Sequence, residues 1–285
     1  MLHSRKLLLA SAALCAGTWG AFAADLPTRK GPPPAPVAQP FSWTGFYVGV
    51  SGGYADPTAD LSVMPGSNWN GDGDWNANSA GPGVNAAGTA QIGLHGFIGG
   101  VTAGYNYQIN NIVLGVEGDA NLLDLHGSYA TPIYNGESGG TYWAKGSASV
   151  DSLFTLRARA GLAFDRLLVF ATVGLAVANE KFSQSIGFNQ DNQFDDIPYT
   201  GGVNGYNAGS ASLAALTGVF GGGVEYAFDK NWSLKGEYLY VPLRSQSFTS
   251  TYNDALTPSN VWTINHHESL TGLNVFRVGL NYRFN

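Results

Sequence analysis

Charge is scarce in this sequence. Charged residues make up 12% of the 285 residues, about half of the roughly 25% that is usual in soluble domains. The formal net charge is -6, so the chain lacks the basic excess that a nucleic-acid-binding surface requires. Glycine, in contrast, occurs 39 times, and aromatic residues make up 13%. This composition argues against a disordered chain, because disordered chains are rich in charge and poor in aromatic residues.

Cysteine is nearly absent as well. Cys15 is the single cysteine, and it lies in a segment with the features of a secretory signal peptide. A basic pair, Arg5 and Lys6, precedes an apolar stretch, and the sequence AFA that ends at Ala23 fits the A-x-A cleavage rule. We therefore predict a cleaved signal peptide at 1–23. The exported chain then has no disulfide, so its stability must have another source.

Long hydrophobic runs are also missing beyond the signal peptide. No apolar run there reaches the ~20 residues that a membrane-spanning helix requires. The segment at 24–42 is instead rich in proline, which predicts an extended, semi-rigid spacer. We interpret it as a periplasmic N-terminal segment and expect the folded domain at 43–285.

What the sequence does contain is a repeated alternation of apolar and polar residues, which indicates β-strands. The eight predicted strands lie at 43–55, 95–107, 112–124, 152–164, 166–179, 213–228, 232–246 and 270–284. Short hairpin connections alternate strictly with long ones at 56–94, 125–151, 180–212 and 247–269. This pattern predicts an all-β fold, an eight-stranded antiparallel up-and-down transmembrane β-barrel with four long extracellular loops and short periplasmic turns.

The two faces of each strand decide which solvent surrounds the barrel. In the closing segment FRVGLNYRFN, Phe276, Val278 and Leu280 share one face, and Arg277 and Arg283 lie on the other. The segment LFTLRARAGLAF separates apolar and charged residues in the same way. We predict that the apolar faces contact lipid and that the charged faces line the interior. The alternative, a soluble barrel such as a lipocalin, needs the arginines outside.

The charged residues predicted to face inward form a nearly neutral set. A buried charge without a partner costs several kcal/mol, so a narrow lumen requires such a balance. Because eight strands leave a bore that side chains can fill, we predict an ionic plug and no open channel. Hairpin geometry sets Glu225 opposite Lys235. The predicted lumen network comprises Glu117, Asp119, Arg157, Arg159, Glu225, Lys235, Glu237, Arg277 and Arg283.

The pairing of the third and fourth strands follows from matching their ends at residues 112 and 164. That register sets Glu117 beside Arg159 and Asp119 beside Arg157. A slip of two residues would leave the same faces inside the barrel, because side chains alternate with a period of two.

Aromatic residues collect near the strand ends that the short turns connect. An aromatic belt at a membrane–water interface has this distribution. The predicted girdle comprises Phe46, Tyr105, Tyr107, Phe164, Phe228, Trp232, Tyr282 and Phe284.

Several segments resemble the alphaproteobacterial major outer-membrane protein family, whose members are often called outer-membrane immunogenic or porin-family proteins. The resemblance is carried by FSWTGFYVGVSGGY after the proline-rich spacer, VLGVEGD, GVEYAF, WSLKGEYLYV and the closing FRVGLNYRF. It implies an OmpA-like barrel that is abundant in the outer membrane, exposed at the surface and important for envelope integrity. The partners it implies are outer-membrane lipid, lipopolysaccharide and the barrel-assembly machinery, which reads an aromatic residue at the end of the chain. Here Asn285 follows Phe284.

The resemblance also implies a role for the mature N-terminus. Relatives that begin with Ala-Asp are joined to peptidoglycan through that terminus. Ala24 and Asp25 form the predicted mature start, and we regard Ala24 as a candidate attachment point. Both termini of the mature chain would then be periplasmic.

Three other functions stay open from the sequence: a small-solute porin, a surface receptor for haem or host molecules, and an enzyme. The haem hypothesis comes from the resemblance and from the histidines at the borders of the long connections, His95, His126, His266 and His267. An enzyme would use His267 and Ser269, which share a strand face but lack an acid in a defined position. The segment at 68–79 imitates a calcium loop without its final glutamate. We expect no catalytic residue, cofactor or metal, and no nucleic-acid partner.

Overall fold

The computed structural model describes residues 41–65, 81–131, 134–135, 141–190, 203–253 and 261–284. Contacts divide the chain into two units, at 1–39 and 40–285, and the described residues all belong to the second. The predicted signal peptide, the attachment candidates Ala24 and Asp25, the segment at 68–79 and Asn285 lie outside the described residues.

Within these residues, thirteen strands and one helix form. In chain order they are β1 (Gly45–Asp56), β2 (Thr58–Pro65), α1 (Gly81–Gly88), β3 (Ala90–Gly93), β4 (Gly96–Ile109), β5 (Ile112–Ala130), β6 (Tyr134–Asn135), β7 (Thr141–Phe164), β8 (Leu167–Gln190), β9 (Val203–Ala227), β10 (Trp232–Val241), β11 (Gln246–Asn253), β12 (Val261–Leu270) and β13 (Leu273–Arg283). No helical segment in the described part of the chain is long and apolar enough to cross a membrane.

Eight of these strands form a closed antiparallel ring. Its order is β1, β4, β5, β7, β8, β9, β10 and β13, and β13 pairs again with β1. Closure leaves no unpaired edge in the ring, so the backbone groups of every strand find partners within the sheet. The ring confirms the predicted eight-stranded barrel.

Short turns connect the strands at one end of the ring. Asn110 and Asp165, in the turns after β4 and β7, adopt positive φ angles of 55° and 54°. Asparagine and aspartate tolerate this left-handed conformation, which two-residue hairpins require. In the turn before β10, the Asp229 carboxylate accepts hydrogen bonds from the backbone N–H groups of Asn231 and Trp232, both at 2.7 Å.

At the other end, the wall extends well beyond the predicted strand ends. β5, β7, β8 and β9 continue without interruption, whereas β1, β4, β10 and β13 break and are continued by β2, β3, β11 and β12. The continuing strands form a second sheet in the order β11, β12, β2 and β3. Most of the described residues in the connections predicted as loops are therefore strand. Sequence reasoning missed this because polar outward residues replace the apolar ones there. We call this part of the wall the extension.

The outward face of the barrel wall changes from apolar to charged at one level along its axis. On β7 the apolar outward side chains run from Phe164 to Phe154, and beyond them lies Asp151, which pairs with Lys181 of β8 at 2.5 Å. Asp124 and His126 of β5 form a second exposed pair at this level, at 3.3 Å. An apolar band bounded by charge is the surface that a bilayer requires. We place the end of the membrane-spanning segments at these two pairs.

The interior is layered along the barrel axis. Near the short turns, Trp43 and Phe170 belong to a small buried apolar cluster. A band of buried charged residues follows. The next cluster is apolar, includes Leu153, Leu239 and Val275, and reaches into the extension; we call it the apolar layer. A last apolar cluster at the far end contains α1 residues and is called the cap; its members are Val63, Val84, Ala87, Ala144, Ile186 and Ile264.

The membrane placement predicts how the wall responds to charge. Ala158→Arg puts a cation in the middle of the outward apolar band of β7, where no packing is lost because the native side chain is small. The free energy of unfolding from lipid bilayers should fall by about 2–4 kcal/mol. The matched control, Ser147→Arg, lies on the outward face of the same strand in the extension and should cost no more than about 1 kcal/mol. Equal losses in chemical denaturation would contradict the placement.

Candidate functional site

The band of charge inside the barrel consists of eight side chains, each at most 6% exposed. We call it the charged layer; it comprises Glu117, Asp119, Arg157, Arg159, Glu225, Lys235, Glu237 and Arg277. These residues come from β5, β7, β9, β10 and β13 and share the inward face because each strand alternates its side chains. The layer contains four carboxylates and four cations.

Arg157 lies at the centre of the layer. Its guanidinium group contacts three carboxylates: Glu117, Asp119 at 2.8 Å and Glu237 at 2.6 Å. Two threonine hydroxyls accept the remaining hydrogen bonds, Thr155 from Nε at 3.1 Å and Thr172 at 3.2 Å. A planar guanidinium with five donors suits this arrangement, in which one cation bridges several carboxylates.

Arg277 and Lys235 complete the same cluster from the opposite wall. Arg277 contacts Asp119 at 2.6 Å and donates from Nε to Glu237 at 2.8 Å. Lys235 reaches Glu117 at 2.9 Å and Glu237 at 3.6 Å. Because neither β13 nor β10 neighbours β5 in the ring, the contacts of Arg277 and Lys235 with the β5 carboxylates cross the bore. The side chains therefore connect the two sides of the barrel directly.

Arg159 and Glu225 form a second ion pair nearer the short turns. Glu225 also accepts hydrogen bonds from Ser233 at 2.6 Å and Asn281 at 2.8 Å. The Arg159 guanidinium lies 3.8 Å from the ring centre of Phe170, a distance that allows a cation–π contact.

Tyr47 links the two groups, because its hydroxyl donates to Glu117 at 2.6 Å and lies within 3.4 Å of an Arg159 nitrogen. Gly104 makes room for the Tyr47 ring, since a Cβ at that position would come within 2.5 Å of the hydroxyl.

The predicted register of β5 and β7 is wrong, although both pairs predicted from it are in contact. Asp119 lies 2.8 Å from Arg157, and Glu117 lies 3.9 Å from Arg159. Glu117 lies directly opposite Arg157, and Asp119 lies opposite Thr155, so the register of β5 and β7 differs by two residues from the predicted one. The cause is the long connection, whose length the sequence pattern could not constrain. The predicted opposition of Glu225 and Lys235, fixed by a short turn, is confirmed.

Arg283 is the second correction. It does not join the charged layer but lies near the short turns, where its guanidinium stands 4.6 Å from the ring centre of Phe41 and 4.9 Å from that of Trp43. Trp43 is held there by hydrogen bonds from its backbone N–H to Gln108 at 2.7 Å and from its indole to the Asp165 carbonyl at 3.1 Å. The start of the folded chain therefore closes this end of the bore.

The residues predicted as an aromatic girdle lie on the outer surface near the short turns. Phe46 packs on Tyr105 with ring centres 4.6 Å apart, and Tyr282 contacts both Trp232 and Phe284 at 5.0 and 5.1 Å. Most members are exposed to the outside, namely Phe46, Tyr107, Phe164, Phe228, Trp232 and Phe284.

Two of the four candidate histidines, His95 and His126, are direct cross-strand partners and both are exposed, whereas His266 and His267 point in opposite directions. His266 points inward and is fully buried, so it is not available to a surface haem. His267 points outward, and its Nδ1 lies 2.9 Å from the hydroxyl of Ser247. The predicted partner Ser269 instead contacts Ser245, at 3.2 Å. Among the described residues, no three His, Cys, Asp or Glu side chains come together as a metal site.

Sequence reasoning missed the uncharged partners of the charged layer. Tyr47, Asn121, Thr155, Thr172 and Asn281 all face inward and hydrogen-bond to charged members of the layer. Their position on the charged face of each strand was the available signal. It could have been used, because uncharged polar residues inside an apolar wall also need partners.

A closed ring of eight antiparallel strands with an apolar outer band and buried internal charge defines a transmembrane β-barrel of the outer-membrane class. The family model of the outer membrane protein beta-barrel domain matches residues 34–284. The chain belongs to this family.

Curated relatives support the assignment. The chain is 34% identical to the 31 kDa outer-membrane immunogenic protein of Brucella melitensis biotype 1 over 285 residues, which cover 98% of this chain and 100% of that protein. It is 30% identical to the 25 kDa outer-membrane immunogenic protein of the same organism over 255 residues, covering 86% of this chain and 94% of that protein. These relatives agree with the predicted resemblance.

Solved structures show more distant likeness. Ail of Yersinia pestis is 16% identical, with a TM-score of 0.32, and the match covers 85% of this chain and 99% of that chain. OprG of Pseudomonas aeruginosa is 12% identical, with a TM-score of 0.37, and the match covers 85% and 97%.

The charged layer predicts a large difference between buried and exposed ion pairs. Glu117→Gln removes one charge from a site where all four cations of the charged layer lie within 4.0 Å, which leaves them without full compensation. The free energy of unfolding should fall by about 3–5 kcal/mol. Asp151→Asn, which breaks the exposed pair with Lys181, should cost less than about 1 kcal/mol. Chemical denaturation in bilayers measures both, and similar small losses would contradict a dry charged layer.

Proposed function

We propose that this protein is a structural component of the outer membrane that supports envelope integrity and does not conduct solutes. The observation that carries the proposal is the filling of the bore, in which a charged layer lies against an apolar layer. Such an interior favours mechanical and thermal stability over passage. The relatives are outer-membrane immunogenic proteins, which supports a role at the cell surface.

The apolar layer argues against the porin alternative. Leu153, Val219, Leu239 and Val275 are fully buried inside the ring, just beyond the charged layer. An ion that crossed this layer would lose its hydration shell without gaining polar partners, which is strongly unfavourable. The charged layer adds a second obstacle, because its carboxylates and cations already pair with one another.

The proposed orientation puts the short turns in the periplasm and the extension outside the cell. Transmembrane barrels of this class have short turns on the periplasmic side. Both the start of the folded chain at Trp43 and the last described residue, Phe284, lie near the short turns. The extension and its connections would then face the environment, surrounded at their base by lipopolysaccharide. The last strand would be the segment that the barrel-assembly machinery receives.

A peptidoglycan link through Ala24 is compatible with this orientation. Trp43 is anchored by two hydrogen bonds near the short turns, which form the periplasmic end of the barrel in the proposed orientation. An extended proline-rich segment rises about 3.1 Å per residue, so the spacer from Ala24 would span roughly 50 Å. That reach would allow the mature N-terminus to meet the cell wall while the barrel stays in the membrane.

The filled bore predicts almost no ionic conductance. The refolded protein in planar bilayers should show only rare, small and brief openings, because both inner layers must rearrange before ions pass. The triple variant Leu153→Gly, Arg157→Gly and Leu239→Gly serves as the control, since it removes bulk from both layers. It should conduct steadily once heat-modifiable gel mobility shows that it has folded. Steady large openings by the unaltered protein would favour the porin alternative.

The proposed link between Ala24 and peptidoglycan predicts a specific covalent product. Purified sacculi, digested with a muramidase and a protease, should yield a peptide that begins at Ala24 and carries a muropeptide mass. The internal control is any peptide from β10, which should appear without that mass. Detection of an unmodified Ala24 peptide alone would reject the link and leave the closed bore unaffected.

A further inference from the structure

Four titratable side chains face the interior, one at the level of the pair of Asp151 and Lys181 that ends the membrane-spanning segments and three beyond it, in the extension. They are Tyr129 of β5, Glu180 of β8, and His266 and Glu268 of β12. Glu180, His266 and Glu268 are completely buried. Tyr129, His266 and Glu268 lie between the apolar layer and the cap, whereas Glu180 lies inside the apolar layer, between its members Ala178 and Phe182 on the inward face of β8. α1 itself has the sequence GPGVNAAG and contributes no titratable group.

Two of these side chains have hydrogen-bond partners. His266 lies 2.6 Å from the hydroxyl of Ser250 and 2.6 Å from the side-chain oxygen of Gln184. Gln184 donates to the hydroxyl of Tyr129 and to the carbonyl of Gly88, the last residue of α1, at 2.9 Å. These bonds connect β12, β8, β5 and the helix, so α1 is held to the barrel wall through Gln184.

The two glutamates, in contrast, have no such partner. Both carboxyl oxygens of Glu180 and both of Glu268 lack a hydrogen bond to any described residue. Glu268 lies opposite Gln246 of β11 and Leu61 of β2, and Glu180 lies opposite Val150 of β7 and Leu213 of β9. None of these neighbours carries a charge. The nearest cation in sequence to Glu180, Lys181, points outward to Asp151.

A buried carboxyl group needs a metal ion, a basic side chain or a bound proton. The described residues offer no metal cluster, and no basic side chain forms a salt bridge with either glutamate. The remaining partner is a proton. Burial raises the pKa of Glu180 to about 7 and that of Glu268 to about 8.

α1 docks on Val63 of β2, close to Leu61, the residue opposite Glu268. Val63, two residues beyond Leu61 on β2, belongs to the cap, and Gly88 of α1 packs so closely on it that a Cβ would collide with its side chain. An ionised Glu268 could be hydrated from this side only if α1 moved away. Protonation of the carboxyl groups and docking of α1 are therefore linked.

We propose that the docking of α1 in the cap depends on protonation. The helix stays docked while Glu180 and Glu268 are protonated, and it undocks when they ionise. The sign follows from linkage. A carboxyl group with a raised pKa in the docked state favours docking at low pH, and this contribution is lost as the pH rises through the raised value. For Glu180 and Glu268 the loss occurs between about 4.5 and about 8.

His266 acts in the opposite sense. Burial lowers its pKa from 6.5 to about 4, so its contribution to docking is present above 6.5 and is lost as the pH falls toward 4. Burial also raises the pKa of Tyr129, which therefore stays neutral across this range. Because two glutamates oppose one histidine, undocking should increase from pH 5.5 to pH 8.5.

Thiol labelling of the refolded full chain tests the proposal. Cys15, the single cysteine, is first replaced by serine. Ala87→Cys then puts a thiol on the buried face of α1, and Ala86→Cys puts one on its exposed face. Both thiols react faster with iodoacetamide as the pH rises, because more thiolate forms. Dividing the rate for Ala87→Cys by the rate for Ala86→Cys, at the exposed position, cancels this shared increase. The ratio of buried to exposed labelling should rise at least about tenfold from pH 5.5 to pH 8.5.

Neutral variants separate the glutamates from other causes. Glu180→Gln with Glu268→Gln should make the labelling ratio nearly independent of pH in this range. Asp60→Asn, which removes an exposed acid on β2, should leave the rise intact. A flat ratio in the unaltered protein would overturn the proposal, and so would a rise that persists in the double glutamine variant. If that variant fails to fold, the single Glu268→Gln variant should still reduce the rise.

Discussion

The structure depends on one constraint: a charge inside a narrow barrel must meet an opposite charge within the barrel. Four carboxylates and four cations satisfy it, with Arg157 at the centre. Because their contacts cross the bore, they connect strands that are not neighbours in the ring, such as β5 and β13. The same side chains therefore fill the lumen, neutralise it and hold the wall together. This explains how a chain without disulfides can form a stable barrel.

The wall meets two solvents, and its interior changes accordingly. Between the aromatic girdle and the pair of Asp151 and Lys181, the outside is apolar and the inside holds charge. The apolar layer begins within this span, at Leu153, and beyond the pair it continues together with the cap inside a polar outer surface, as in a soluble protein. The two regions also compensate their buried carboxyl groups differently. Glu117 has cations as partners, whereas Glu268 has none among the described residues, and burial raises its pKa.

Much of the ring could be predicted from the sequence, because a period of two determines which residues face inward. The pairing of Glu225 with Lys235 was predictable since a short turn fixes its register, but the register of Glu117 was not, since a long connection precedes β7. Arg283 has the correct parity but lies too near the strand end to reach the charged layer. The extension escaped prediction because its outward residues, such as Ser147, are polar, and alternation alone could not distinguish them from loop residues.

The central claim is that the charged layer excludes water, and side-chain hydrogen exchange of Arg157 tests it most directly. Its Nε–H donates to Thr155 inside the layer, whereas Arg244 is exposed in the break between β10 and β11. In NMR spectra of the barrel in nanodiscs transferred to heavy water, the account predicts that the Arg157 signal persists long after the Arg244 signal has disappeared. Exchange of Arg157 as fast as that of Arg244 would show a water-filled bore and contradict the account.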